Sequence, residues 1–162
     1  MAEFLDSPFL MGKYGEQPNE LALMSCKRNQ IKNERLLQLL EDDLQKGNRL
    51  EEKYNLAKFK GEPTPTYNCH GMTFACRRTG ISDLNTLRQV WEEDNYVEIK
   101  EIAKVLPGDI VLYYKGGEII HSGIVMHVEL QNNILPNITI LSKWGKHKEV
   151  IHNVNDSPYS VN

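Results

Sequence analysis

The stretch PGDIVLYYKGGEIIHSGIVMHVEL, residues 107–130, limits the fold more than any other part of the chain. Two runs rich in β-branched and aromatic residues flank Gly116-Gly117, and a Gly-Gly pair supplies the left-handed backbone that a two-residue hairpin turn requires. The pattern predicts a strand over IVLYY, a tight turn, and a second strand over EIIHSGIVMHVEL. A polar loop, QNNILPN, precedes a third strand in NITILSKWG and a fourth in EVIHNV. Connections this short admit an antiparallel meander but no parallel crossover.

The residues before the hairpin read as helical. Leu36, Leu40 and Leu44 recur at i, i+4 and i+8 within a helical stretch from about Leu21 to Lys60, and Leu37 widens the stripe. That stripe is expected to pack on the domain rather than bind a partner. Gly47-Asn48 is expected to break the run in two, and GEPTPT ends it, because proline disfavours helix before it. A helix is expected from Cys69 to Arg78 with Gly80 as its cap. Ser82 or Asp83 should cap a second one carrying Leu84, Leu87 and Trp91 on one face. Helices followed by a meander make the fold class α+β. The expected organisation is an N-terminal helical extension over 1–62 packed on a core over 63–162, together one domain.

With 162 residues the chain can bury one substantial core. Its net charge of −3, with no basic stripe, argues against nucleic acid as a partner. No apolar run reaches the roughly 18 residues of a membrane span. The N-terminus, MAEFLDSPFLMGKYGEQ, starts acidic and lacks an apolar core region, so it does not read as a signal peptide. The expected location is the cytoplasm of the producing cell, or export by a dedicated secretion machine. Three cysteines are too few and too irregular for a disulfide framework. Cys26 and Cys76 are expected in the core, with Cys76 on the same helix face as Cys69.

Cys69 stands apart because it opens a predicted helix after a proline-rich loop. A helix start favours a thiolate through the macrodipole and free backbone N–H groups, which could also serve as an oxyanion hole. Gly71 would leave room for substrate to approach the backbone. His121, inside the apolar strand IIHSGIV, is the candidate base, and an imidazole there costs desolvation unless it is hydrogen-bonded. Ser142, the small hydrogen-bonding residue on the next strand, is the candidate orienter. A zinc site is disfavoured: Cys69, His70 and Cys76 lack C-x-x-C pairing, and no H-E-x-x-H motif is present.

Three motifs in this order resemble the papain-like cysteine peptidase and amidase superfamily, in the arrangement of the NlpC-type and CHAP bacterial cell-wall hydrolases. N-C-H-G at 68–71 stands where those groups have D-C-S-G, LPGDIVLYY at 106–114 matches their L-P-G-D strand, and HSGIV at 121–125 matches their histidine strand. S-K-W-G at 142–145 is similar to the N-S-W-G of papain-like enzymes. The resemblance spans about residues 64–152. It implies a small antiparallel sheet packed on the nucleophile helix, with catalytic Cys69, His121 and Ser142 and with Trp144 shielding the orienter. Tyr67, His70 and Gly71 then line the substrate and oxyanion side. Asn68 and His70 depart from the family pattern, and Lys143 or His152 stand as alternatives to Ser142.

The implied function is hydrolysis of an amide bond by a monomeric cysteine amidase or endopeptidase that needs neither cofactor nor metal. Its implied substrate is a peptidoglycan stem peptide, reached as a delivered effector or lysin. Two alternatives share the scaffold: a cytosolic deamidase or acyltransferase-type toxin, and a catalytically inactive binding module.

Overall fold

The computed structural model describes residues 19–129 and 137–160. In chain order the elements are α1 (Glu41–Lys53), β1 (Lys58–Lys60), α2 (Cys69–Phe74), α3 (Leu84–Glu93), a 3₁₀ turn (Ile102–Lys104), β2 (Ile110–Lys115), β3 (Glu118–Glu129), β4 (Asn137–Lys143) and β5 (Glu149–Asn153). The strands form one open antiparallel sheet in the order β1-β5-β4-β3-β2. The α+β class and the four-strand meander are as expected from the sequence. Most of the expected QNNILPN loop lies outside the described residues.

The β2–β3 hairpin turns on Gly116 (φ 59°) and Gly117 (φ 84°), two successive left-handed residues of the kind a type I′ turn demands. Two register shifts then decide which side chains of β3 face inward. The second lies between Val125 and His127 and leaves Met126 as the extra residue. Val125 and Val128, three apart, therefore both meet the apolar cluster of Ile138, Ile140, Val111 and Val154, while Met126 and His127 are exposed. The first shift sits between Tyr113 and Tyr114, and it pairs Tyr113 with His121.

A second cluster lies around the helices. Asp83 caps α3, its carboxylate accepting from the Thr86 N–H at 2.7 Å, and Leu87 and Val90 turn inward. They meet Ala75, Ile81 and Ile31, with Trp91 at the margin. Leu84, expected on the same face, is exposed.

The helix expected over Leu21–Lys60 is confined to α1. Residues 21–35 instead form two extended arms around a turn at Cys26–Arg28, with Met24 bridging Gln30: Glu34 and Gly80 exchange backbone hydrogen bonds, and Ile31 donates to the Leu23 carbonyl. Asn33 bonds Leu21 twice and accepts from the buried Thr79 hydroxyl at 2.7 Å. This pairing, with Ile31 in the core, outweighs local helix propensity. Leu36, Leu37 and Leu40 precede α1 and are exposed, so they form no helical stripe. Gly47-Asn48 does not break α1; Gly47 is buried within it because the His147 ring lies where a Cβ would be. The chain then leaves α1 and enters β1, an edge strand on β5 with no sequence precedent in the expected helix.

The helix that begins at Cys69 is also shorter than expected. It ends at Phe74, and Cys76 (φ 48°) and Arg77 (φ 64°) adopt left-handed backbone, with the Ala75 and Arg77 N–H groups both donating to the Gly71 carbonyl. The reversal turns Cys76 outward, and Cys26 is exposed too, so neither joins the core. Gly80 pairs with Glu34 instead of capping the helix.

Candidate functional site

Cys69 is the first residue of α2 and 9% exposed. Asn68 fixes this helix start: its Oδ1 accepts from the N–H of Gly71 (2.8 Å) and of Ile81 (3.1 Å), and its Nδ2 donates to the Ile81 carbonyl (2.8 Å). That last bond needs an amide donor, which an aspartate could not provide. Gly71 is buried, and the space left by its missing side chain is filled by the Thr79 carbonyl. It serves the close approach of the chain at 79–80, not the approach of a substrate.

Ser122 of β3 faces α2. Its hydroxyl meets His70 Nδ1 at 2.9 Å and Thr73 Oγ1 at 3.0 Å, which locks His70 into the helix–sheet interface and away from the solvent side. Burial pushes the Cys69 thiol up, while the backbone N–H groups of Ser122 and His70 facing the sulfur favour its anion. Burial also lowers His70 to about 4.

Successive strand residues leave on opposite faces, so His121 leaves β3 on the face opposite the Ser122 hydroxyl. It is 0% exposed, stacks on Tyr159 with ring centroids 3.8 Å apart and planes at 10°, and tilts against Tyr113 at 5.4 Å. Neither of its ring nitrogens has a hydrogen-bond partner among the described residues. Burial first, then the neighbouring His152 and His70, lower its pKa well below the usual imidazole value, so it is neutral at pH 7. No hydrogen bond joins His121 to Cys69 among the described residues, and Tyr159 covers one face of the imidazole.

Ser142 does not orient His121. Its Oγ accepts from Trp144 Nε1–H at 3.1 Å and pairs with His152 Nε2 at 2.8 Å. His152 lies opposite Ile140 on β5, the diagonal neighbour of Ser142 on one sheet face. Its Nδ1 sits 2.7 Å from the Asn153 carbonyl, which can only accept, so the neutral ring carries its proton there and Nε2 accepts from Ser142. The chain Trp144 → Ser142 → His152 → Asn153 carbonyl is thereby saturated. Trp144 is buried, edge-on to Tyr54 (5.0 Å) and Phe59 (5.4 Å), and shields the Ser142–His152 pair.

On the α2 side of the sheet lies Lys143, 0% exposed. Its ammonium donates to the His147 carbonyl and sits 4.7 Å from the centre of the Tyr67 ring. Tyr67 gives its hydroxyl to Glu149 at 2.9 Å, which occupies the group expected at an oxyanion. Glu149 is the cross-strand partner of Lys143 and is gripped by Arg77 at 2.5 and 3.1 Å. Burial brings Lys143 down to about 8, opposed by Glu149 and then by Cys69.

The site thus has Tyr67, His70, Ser122 and Lys143 on one side and His121, Ser142, Trp144 and His152 on the other, with the Cys69 sulfur against the Ser122 backbone N–H. Ser122, Tyr113 and Tyr159 went unmarked in the sequence; only the first, beside His121, carried a local signal. The resting groups are a protonated thiol and neutral imidazoles, a set suited to proton transfer during bond formation rather than to a standing ion pair. Among the described residues no group of three or more His, Cys, Asp or Glu side chains is placed to hold a metal ion, and no helix is long and apolar enough to cross a membrane. Comparison with known proteins returned no matching family model, no matching curated protein and no matching solved structure.

Proposed function

We propose that this chain is a cysteine amidase or peptidase of the papain-like type, with Cys69 as nucleophile and His121 as base. One observation carries the reading: a fully buried imidazole whose nitrogens have no hydrogen-bond partner among the described residues, packed between the Tyr159 and Tyr113 rings and one residue from the Ser122 N–H that faces the Cys69 sulfur. A buried polar group without partners costs about 1–3 kcal/mol, and such groups persist where chemistry uses them.

In the proposed reaction the Cys69 sulfur bonds to the carbonyl carbon of an amide while its proton passes to a His121 nitrogen. That proton then goes to the departing amine nitrogen as the C–N bond breaks. Water attacks the resulting thioester, giving up a proton to His121, and the acid leaves as the thiol is restored. Burial leaves His121 neutral at pH 7, with its nitrogens free to accept, but weakens it as a base, so bound substrate has to bring its proton affinity closer to the working pH. A peptidoglycan stem peptide, met by a delivered effector or lysin, is the substrate favoured by the motif order in residues 64–152. Incubation with such fragments, followed by intact-mass measurement, should trap an acyl adduct on Cys69 that is absent in Cys69→Ala. Turnover by Cys69→Ala at the wild-type rate would overturn the assignment.

A second reading rests on the burial of the thiol and its raised pKa, which favour an inactive module that binds a partner. In that case Cys69 acquires no adduct from any amide, and its reactivity does not depend on His121.

A further inference from the structure

Two rings of different standing enclose His121. Tyr113 belongs to the sheet: it is buried, it pairs with His121 across β2 and β3, and its ring tilts against the imidazole at 5.4 Å. Tyr159 comes from residues 154–160, which follow β5 and contain no helix or strand. It is only partly buried, yet its ring lies flat on the imidazole with centroids 3.8 Å apart. The wholly buried imidazole thus owes one of its faces to a residue that itself reaches solvent.

Among the described residues, 154–160 bond mostly to one another. Val154 ties them to the sheet, its N–H donating to the Ile138 carbonyl (2.9 Å) and its carbonyl accepting from the Tyr113 hydroxyl (3.0 Å). Beyond it, the Ser157 oxygen accepts from the N–H groups of Tyr159 (3.2 Å) and Ser160 (3.1 Å). The Ser160 hydroxyl reaches back to the Val154 carbonyl (3.1 Å). Past Val154, this loop gives the rest of the fold the Tyr159 ring, with Ser157 beside the Tyr113 hydroxyl and the Gly145 N–H beside the Tyr159 hydroxyl. A segment that satisfies its own backbone groups can leave the sheet without orphaning them.

We infer that residues 154–160 are a strap that shuts His121 off from solvent through the Tyr159 ring, and that an amide substrate meets the imidazole only with the strap lifted. The inference deepens the cysteine-hydrolase reading and rests on His121 being its base. The closed form is the resting state, with the base out of reach of water as well as of substrate. Lifting the strap needs no change in β3 or Tyr113, which hold the imidazole from the sheet side.

The test is carbethoxylation of His121 by diethyl pyrocarbonate in the full chain at pH 7, read by mass spectrometry with the exposed His127 as internal reference. Tyr159→Ala should raise the His121 rate at least about tenfold and leave His127 unchanged, since it opens a position that otherwise waits on local unfolding. Tyr159→Phe keeps the covering ring and should stay within about threefold of wild type. A His121 rate in Tyr159→Ala equal to wild type overturns the inference. So does an equal gain at the buried His70 and His147, which would report general loosening. If Tyr159→Ala fails to fold, the urea dependence of labelling in wild type decides. Labelling of His121 through strap lifting should rise with a smaller slope than that of His147, whose ring is packed into α1 at Gly47, and equal slopes overturn the inference. The amidase reading fails separately, through the absence of an acyl adduct on Cys69, so a His121 gain in Tyr159→Ala without any adduct would retain the strap and remove the chemistry.

Discussion

Ser142→Ala separates two roles that sequence alone cannot tell apart. The substitution removes one oxygen and leaves Trp144 Nε1–H and His152 Nε2 buried without partners. Each such orphaned group costs about 1–3 kcal/mol, so the fold should lose roughly 2–6 kcal/mol. That is a large share of the 5–15 kcal/mol typical of a domain. Urea denaturation followed by tryptophan fluorescence would read the loss as a lower midpoint at unchanged slope. Alkylation of Cys69 under native conditions should stay within about threefold of wild type, because the Ser142 hydroxyl bonds His152 and Trp144 and, among the described residues, neither Cys69 nor His121. A stability loss below about 1 kcal/mol would refute the saturated Trp144–Ser142–His152 chain. A hundredfold fall in Cys69 reactivity with the fold intact would instead make Ser142 the orienter of His121.

Two other outcomes follow from the packing. Gly47→Ala replaces glycine within a helix, a change worth about 1 kcal/mol of stabilisation from propensity, yet thermal unfolding should show a lower midpoint because the new methyl overlaps the His147 ring. Acid should unfold the protein early: His70 binds its proton near 6.5 when unfolded and at about 4 when folded, so its contribution is full above pH 6.5 and is lost as pH falls to 4. That single group is worth about 3 kcal/mol, and His121, His147 and His152, all shifted downward by burial, add in the same direction. A urea midpoint that stays constant from pH 7 to pH 5 would contradict this.

The hairpin was legible because Gly116-Gly117 and the flanking strands encode it locally, and α3 because Asp83 marks its start. The segment before them misled the reading for a physical reason. Leucines at helical spacing around residue 40 say nothing about the pairing of Glu34 with Gly80, which depends on residues far along the chain. Gly47 looked like a breaker, whereas its role is to admit a ring from the β4–β5 turn. Cys76 looked inward until the left-handed turn at Cys76 and Arg77 reversed the chain. In the candidate site, motif order singles out Cys69 and His121, but the hydrogen-bond partner of Ser142 depends on the β4–β5 register, which puts His152 beside it. Burial of Lys143 and the stacking of Tyr159 on His121 arise from tertiary contacts that no local pattern announces.

The claim on which the rest depends is that His121 takes the proton of Cys69. The rate of Cys69 alkylation at pH 7 in His121→Gln, against wild type and with Cys26 and Cys76 measured in the same digest, tests it most directly. General-base assistance is worth about a hundredfold or more, so the Cys69 rate should fall by about that factor while the other two cysteines keep theirs. An unchanged Cys69 rate in a folded His121→Gln protein would contradict the account and leave the binding module in its place.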